Sequence, residues 1–234
     1  MPLQVIRATN ESRRGLEILG AMESAAPEND MLMMWGVGRP GHSAHRDRAI
    51  HQGRKVLLWD LGYVKGYYRL SIDHDHPWRL FDQTPNTGRE YPEKLREDAG
   101  NGPIIVVGMG RKSQSYHGLY NWESRNIAEL KRRFPGVPIV SRPKPRAGDG
   151  APSIEDVLMG ARLVVCRHSN VAVDAVIAGI PFQCEDGAAY WLRDKAFTRE
   201  NRQDFLNRLA WWQWKPDEAT QAWGFIGRMV NASS

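Results

Sequence analysis

Short apolar runs and amphipathic segments alternate along most of the chain. Residues 3–6 (LQVI) read as a strand and residues 11–24 as an amphipathic helix. Residues 31–37 (MLMMWGV) form a short apolar run that ends in glycines, which predicts a buried strand and a tight turn. Residues 44–52 predict a helix closed by Gly53, a residue suited to the position just past a helix end. Residues 55–60 (KVLLWD) predict another buried strand. Strands and helices in this alternation point to βαβ units around a parallel sheet.

The pattern changes at residue 67. Residues 67–72 (YYRLSI) alternate as an edge or antiparallel strand does. Residues 73–101 are polar, carry Pro77, Pro85 and Pro92 and lack a period, which predicts a long loop with a short helix at 93–98. A domain boundary is expected near residues 100–103. The alternation then resumes, with strands at 104–107, 136–140, 162–166 and 180–184 and helices at 122–134, 154–159 and 170–178. Ser153 is placed to cap the helix at 154, and Gly179 to stop the one at 170. Two last helices, at 199–209 and 217–229, flank an aromatic WWQW segment. The expected fold is α/β with two Rossmann-like lobes. Residues 1–100 form a reduced N-terminal lobe with a long loop. Residues 101–234 form a C-terminal lobe with terminal helices packing back.

Composition narrows the class. The chain has 234 residues, 41% hydrophobic and 25% charged, which excludes disordered and fibrous classes. No apolar run approaches the roughly 18–20 residues that span a bilayer, so no membrane span is expected. The N-terminus lacks a basic-then-apolar signal, and Cys166 and Cys184 are the only cysteines, so a reduced cytoplasmic setting is expected. A net charge of +5 suits a partner that carries phosphate.

Ligands of open α/β sheets bind beyond the carboxyl ends of the strands. Three cation-bearing loops fall there: 108–111 (GMGR), with Gly108, Gly110 and Arg111; 142–146 (RPKPR), with Arg142 and Lys144; and 167–170 (RHSN), with Arg167, His168, Ser169 and Asn170. Converging cations and a helix amino end make a phosphate site. The GMGR turn lacks the spacing of a P-loop or a dinucleotide fingerprint. The stretch 164–185 (VVCRHSNVAVDAVIAGIPFQCE) resembles the donor-binding region of GT-B glycosyltransferases and capsule-polysaccharide-type transferases. That resemblance implies a nucleotide-sugar donor, most simply a UDP-sugar, with no further cofactor. Ser169 and Asn170 would face the diphosphate, with Arg142 and Lys144 nearby. A second resemblance, to phage-type transferases that glycosylate hypermodified DNA bases, rests on chain size, basicity and the aromatic tail. It implies a hydroxymethylated pyrimidine in double-stranded DNA as acceptor, with a glycan hydroxyl as the alternative.

Transfer to a hydroxyl needs a base. His168, Asp60 at the end of KVLLWD and Asp73 are the candidates. The run Asp73-His74-Asp75-His76 contains metal-ligand types but lacks a third ligand at fixed spacing, and no metal is expected. Trp211, Trp212 and Trp214 suit either stacking on sugars or bases, or clamping of the tail onto the core. Two other functions remain open at this stage: nucleic-acid binding by a degenerate transferase fold, and epimerisation of a nucleotide-sugar.

Overall fold

The computed structural model describes residues 3–6, 13–36, 42–143, 150 and 152–232. The chain divides into two compact units, residues 1–92 with 207–234, and residues 93–206.

The first unit opens with β1 (Gln4–Ile6), α1 (Arg13–Ser24), β2 (Leu32–Trp35), α2 (His42–His51) and β3 (Val56–Leu61). These strands pair in parallel in the order β1-β2-β3. β4 (Tyr68–Ile72) then turns back antiparallel to β3, as its alternation predicts. The two faces of the sheet separate by residue parity. Leu32, Met34, Val56 and Leu58 pack with Ala49 of α2. On the other face Trp35 lies against α1, where a Cβ on Gly15 would sit 2.8 Å from the indole ring. Only glycine permits that approach.

In the second unit β5 (Ile104–Val107) is followed by α3 (Arg111–His117), α4 (Trp122–Arg133), β6 (Ile139–Arg142), α5 (Ile154–Leu158), β7 (Leu163–Cys166), α6 (Val171–Ala178) and β8 (Phe182–Cys184). All four strands are parallel, in the order β6-β5-β7-β8. Ile104, Val106, Leu163 and Val165 meet Trp122 and Leu130 of α4 in one core. Ser153 caps α5 as expected, its Oγ accepting the Asp156 N–H at 3.0 Å. Gly179 ends α6 in the left-handed region, at φ 74°.

α7 (Arg199–Ala210) leads to β9 (Gln213–Trp214) and α8 (Ala219–Ala232). Here the structure departs from the division read in the sequence. β9 pairs antiparallel with β4 through Tyr68↔Trp214 and Arg69↔Gln213, so the tail belongs to the first unit. A two-residue strand inside WWQW leaves no periodic signal, which hides this pairing from the sequence. The boundary also lies earlier, between Pro92 and Glu93. Residues 93–98 form no helix. The Arg96 and Asp98 N–H groups donate to the Ile177 and Ala178 carbonyls at 2.7 Å, tying this segment to the end of α6. Buried Arg202 joins them, donating to the carbonyls of Val176, Ile177 and Arg96 and to Glu97.

The polar stretch before the boundary is held as well. It contains a 3-10 helix, Pro77–Gln83, with Phe81 fully buried. Arg208 donates to the Phe81 and Thr84 carbonyls, and Arg89 to those of Ala210 and Gln213. Trp212 and Trp214 are buried, and Trp212 Nε1 donates to Thr84 Oγ1 at 2.9 Å. Of the two roles open to these tryptophans, the structure gives Trp212 and Trp214 the clamp. Thr84→Val keeps the shape but leaves the buried indole N–H without that acceptor. It is expected to lower unfolding free energy by about 1–3 kcal/mol, read as a reduced denaturant midpoint with unchanged slope.

Candidate functional site

In the β6-β5-β7-β8 order, β5 has the next strand in sequence on one side and β7 on the other. The connections leaving β5 and β7 therefore part, and a crevice opens between them at the carboxyl edge. Two predicted loops follow these paired strands, residues 108–111 after β5 and 167–170 after β7. Gly108 is buried, and its N–H donates to the Arg142 carbonyl at 3.0 Å. Gly108 lies close under the Glu123 carboxylate, which would have to shift to admit a Cβ there. Gly110 is the residue before α3, and Arg111, its first residue, is exposed.

The two loops are joined by a residue the sequence reading passed over. Ser113 Oγ lies 3.0 Å from His168 Nε2, and His168 Nδ1 lies 3.2 Å from the Arg167 guanidinium. A Cβ on Gly187, at φ 97°, would lie 3.3 Å from the His168 backbone. A guanidinium only donates, so His168 Nδ1 is the acceptor and the ring proton sits on Nε2. Nε2–H then donates to Ser113. In this arrangement His168 has no bare nitrogen toward Ser113, and the base role expected for it gives way to a donor role. Arg167 also faces Glu185, whose other oxygen accepts the Trp122 indole N–H at 2.6 Å.

The amino end of α6 is more self-sufficient than the sequence implies. Ser169 Oγ accepts the Val171 N–H, the Ser169 carbonyl accepts that of Ala172, and the Asn170 carbonyl accepts that of Val173. Asn170 precedes the helix without a side-chain cap bond. Beneath the turn, the Ser169 and Ala172 N–H groups donate to the Cys166 sulfur; burial nevertheless pushes this thiol up to about 11. Donors toward a ligand therefore come chiefly from side chains.

The third loop is only partly in view. Arg142 points its guanidinium at the Pro152 carbonyl, 2.8 Å away, not at the crevice. Lys144 lies outside the described residues. Asp174, one turn into α6, is driven up to about 7 by burial first and then by the Glu93 and Glu155 carboxylates; Arg96 and Arg142 oppose the shift.

The carboxylate candidates of the first unit lie at opposite edges of its sheet. Asp73 follows β4, beside the start of β3, where it accepts the Val56 N–H at 2.8 Å and pairs with Lys55. It is a turn residue with φ 61°. Asp60 sits at the carboxyl end of β3, opposite Arg69 on β4. It pairs with Arg69 at 3.0 Å, accepts the Leu61 N–H and keeps 39% of its side chain exposed. Asp60 and Asp75 face one small recess with Arg69, Ser71 and Gly36. The residues of the metal-like run are separately engaged: Asp75 pairs with Arg46, and His76 Nδ1 accepts from Arg69. Among the described residues no group of three or more His, Cys, Asp or Glu side chains is placed to hold a metal. No helix among them is long and apolar enough to cross a membrane. A separate cavity of about 280 Å³ lies beside β8, lined by Phe182, Arg193, Lys195 and Phe197 among others; none of the expected site residues lines it.

A carboxyl raised by folding binds its proton more tightly in the native state, so it costs stability as it ionises. Between its ordinary 3.8 and about 7, the native chain holds a proton on Asp174 that the unfolded chain has lost. Stability from this group therefore falls as pH rises through that window. Asp174→Asn is expected to flatten the decline and to equal or exceed the parent above pH 7, measured by urea midpoints at stepped pH.

No protein-family model matches the chain, and no curated protein is significantly similar to it in sequence. Among solved structures it is similar to KpsC of Thermosulfurimonas dismutans, described as a beta Kdo 2,7 transferase. The identity is 14%, 99% of each chain is covered and the TM-score is 0.50. The spinosyn rhamnosyltransferase SpnG, solved with thymidine diphosphate, matches at 15% identity over 93% of this chain and 65% of its own, with a TM-score of 0.28. The likeness to KpsC is one of fold: the chain has the mixed α/β, Rossmann-like architecture of the GT-B type.

Proposed function

We propose that the chain is a glycosyltransferase that moves a sugar from a nucleotide-sugar donor to a hydroxyl acceptor. Its second unit would hold the donor phosphate at the carboxyl edge between β5 and β7. The observation that carries this reading is the bonded set of Arg167, His168 and Ser113, with Arg111 opening the same helix as Ser113. A protein described as a sugar transferase having the same fold agrees with it.

In the proposed reaction the bond between the sugar's anomeric carbon and the phosphate oxygen breaks, and negative charge builds on the departing phosphate. Donors already fixed in place stabilise that charge without reorganising, which lowers the barrier. Because side chains do this, transfer is expected to persist in the presence of a divalent-ion chelator. The acceptor hydroxyl gives up its proton as it attacks. Asp60 is the proposed base: although paired with Arg69 it is the more exposed of the two carboxylates, whereas Asp73 is held in a turn by the Val56 N–H and Lys55. We favour a glycan hydroxyl as acceptor over a base in double-stranded DNA, because Trp212 and Trp214 are buried and the partly exposed Trp211 already stacks on Phe225 and donates to the Thr87 carbonyl.

Two variants test the assignment. Arg167→Met is expected to weaken nucleoside-diphosphate binding by about ten- to a hundredfold, the worth of one charged hydrogen bond. Arg142→Met, whose side chain faces Pro152, is expected to change it less than threefold, a difference well below 1.4 kcal/mol. Thermal-shift titrations read both, and equal losses would contradict the placement. Asp60→Asn is expected to cut turnover by about a hundredfold or more while sparing donor affinity; an unchanged turnover number would remove Asp60 from the mechanism.

A further inference from the structure

We propose that Ser113 is a ligand-contacting residue whose hydroxyl hydrogen is delivered to a phosphate oxygen, with its direction fixed by Arg167 acting through His168. This rests on the phosphate reading above. The chain of bonds runs one way. Arg167 donates to His168 Nδ1 at 3.2 Å, and the proton left on Nε2 donates to Ser113 Oγ at 3.0 Å. A hydroxyl has one hydrogen. Once its oxygen accepts from His168, that hydrogen must be placed elsewhere. A helical serine ordinarily returns it to the carbonyl four residues back. Here no such bond forms from Ser113, and that carbonyl, on Met109, accepts the Gln114 side-chain amide at 2.9 Å instead. No other acceptor for the Ser113 hydrogen is found among the described residues, and Ser113 lies on the first turn of α3, at the mouth of the β5–β7 crevice.

The consequence is selective. The hydroxyl hydrogen must meet an acceptor, which a phosphate oxygen supplies and an ammonium nitrogen cannot. His168 is then a positioning residue, and Arg167 serves twice, as a local positive charge and as the group that keeps Nδ1 bare. Chemistry that required His168 to take a proton from Ser113 would need the opposite tautomer.

Two measurements decide it. In the intact 15N-labelled protein, two-bond proton–nitrogen correlations of the His168 ring should show Nδ1 bare and Nε2 protonated. In Arg167→Met that preference should relax. The Nδ1–H tautomer in the parent would overturn the proposal. The second measurement is calorimetric titration with inorganic pyrophosphate. Ser113→Ala should weaken binding by about tenfold, and Ser113→Thr, which restores the hydroxyl, should stay within about threefold of the parent. Uridine, which lacks phosphate, should not distinguish the three proteins. If the parent binds pyrophosphate and Ser113→Ala binds it equally well, the Ser113 role falls while the phosphate site stands. If Ser113→Thr is as weak as Ser113→Ala, packing and not the hydroxyl is responsible, and the proposal is again overturned. A parent that takes up no pyrophosphate overturns the phosphate site together with this role.

Discussion

The second unit is organised by where β5 sits. With a parallel neighbour on each side and connections that leave in opposite directions, the loop after β5 cannot lie flat against the loop after β7. The separation is imposed by strand order and does not depend on side chains. Side chains determine what fills it: Glu123 of α4 lies over Gly108 of the first loop, and the RHSN turn lies on the other side. Gly187, beyond β8, comes close enough to the His168 backbone that a side chain there would crowd it.

Within that frame, hydrogen-bond polarity arranges the chemistry. Arginine has donors and no acceptor, so any imidazole nitrogen it touches is bare. Two such contacts stand out among the described residues. Arg167 orders His168 in the second unit, and Arg69, itself paired with Asp60, orders His76 in the first. In the second unit the ordering continues outward to a hydroxyl. The amino end of α6, by contrast, is closed by its own Ser169 and Asn170 and by the Cys166 sulfur. A phosphate site built from side chains differs from the amide cradle of a glycine-rich loop: it is more readily abolished by one substitution, and its polarity is set by the tautomer of a single ring.

Much of the fold is legible in the sequence, because the strands of both sheets are short apolar runs bounded by glycine, proline or a capping residue. Ser153 and Gly179 mark helix ends where the structure has them. What escapes has a physical cause in each case. α3 (RKSQSYH) buries no residue fully and so carries no apolar stripe, which conceals both the helix and Ser113. β9 is two residues long and is held by partners more than a hundred positions away, so the return of the tail to the first unit leaves no local trace. The loops at 108–111 and 167–170 leave paired strands, and Ser113, just past the first loop, meets His168 of the second. Arg142 carries the same charge as Arg167, but its direction is set by the Pro152 carbonyl, which no sequence pattern reveals. Asp73 and Asp60 read alike as acids near strand ends, yet antiparallel pairing sends one to each edge.

The most direct test of the phosphate site is a map of where a phosphate ligand lands. Backbone amide shifts followed during a titration of the whole protein with uridine diphosphate should move most at residues 108–114 and 167–170, and saturate together. Perturbations centred on the cavity beside β8, with the β5 and β7 loops unmoved, would contradict the account.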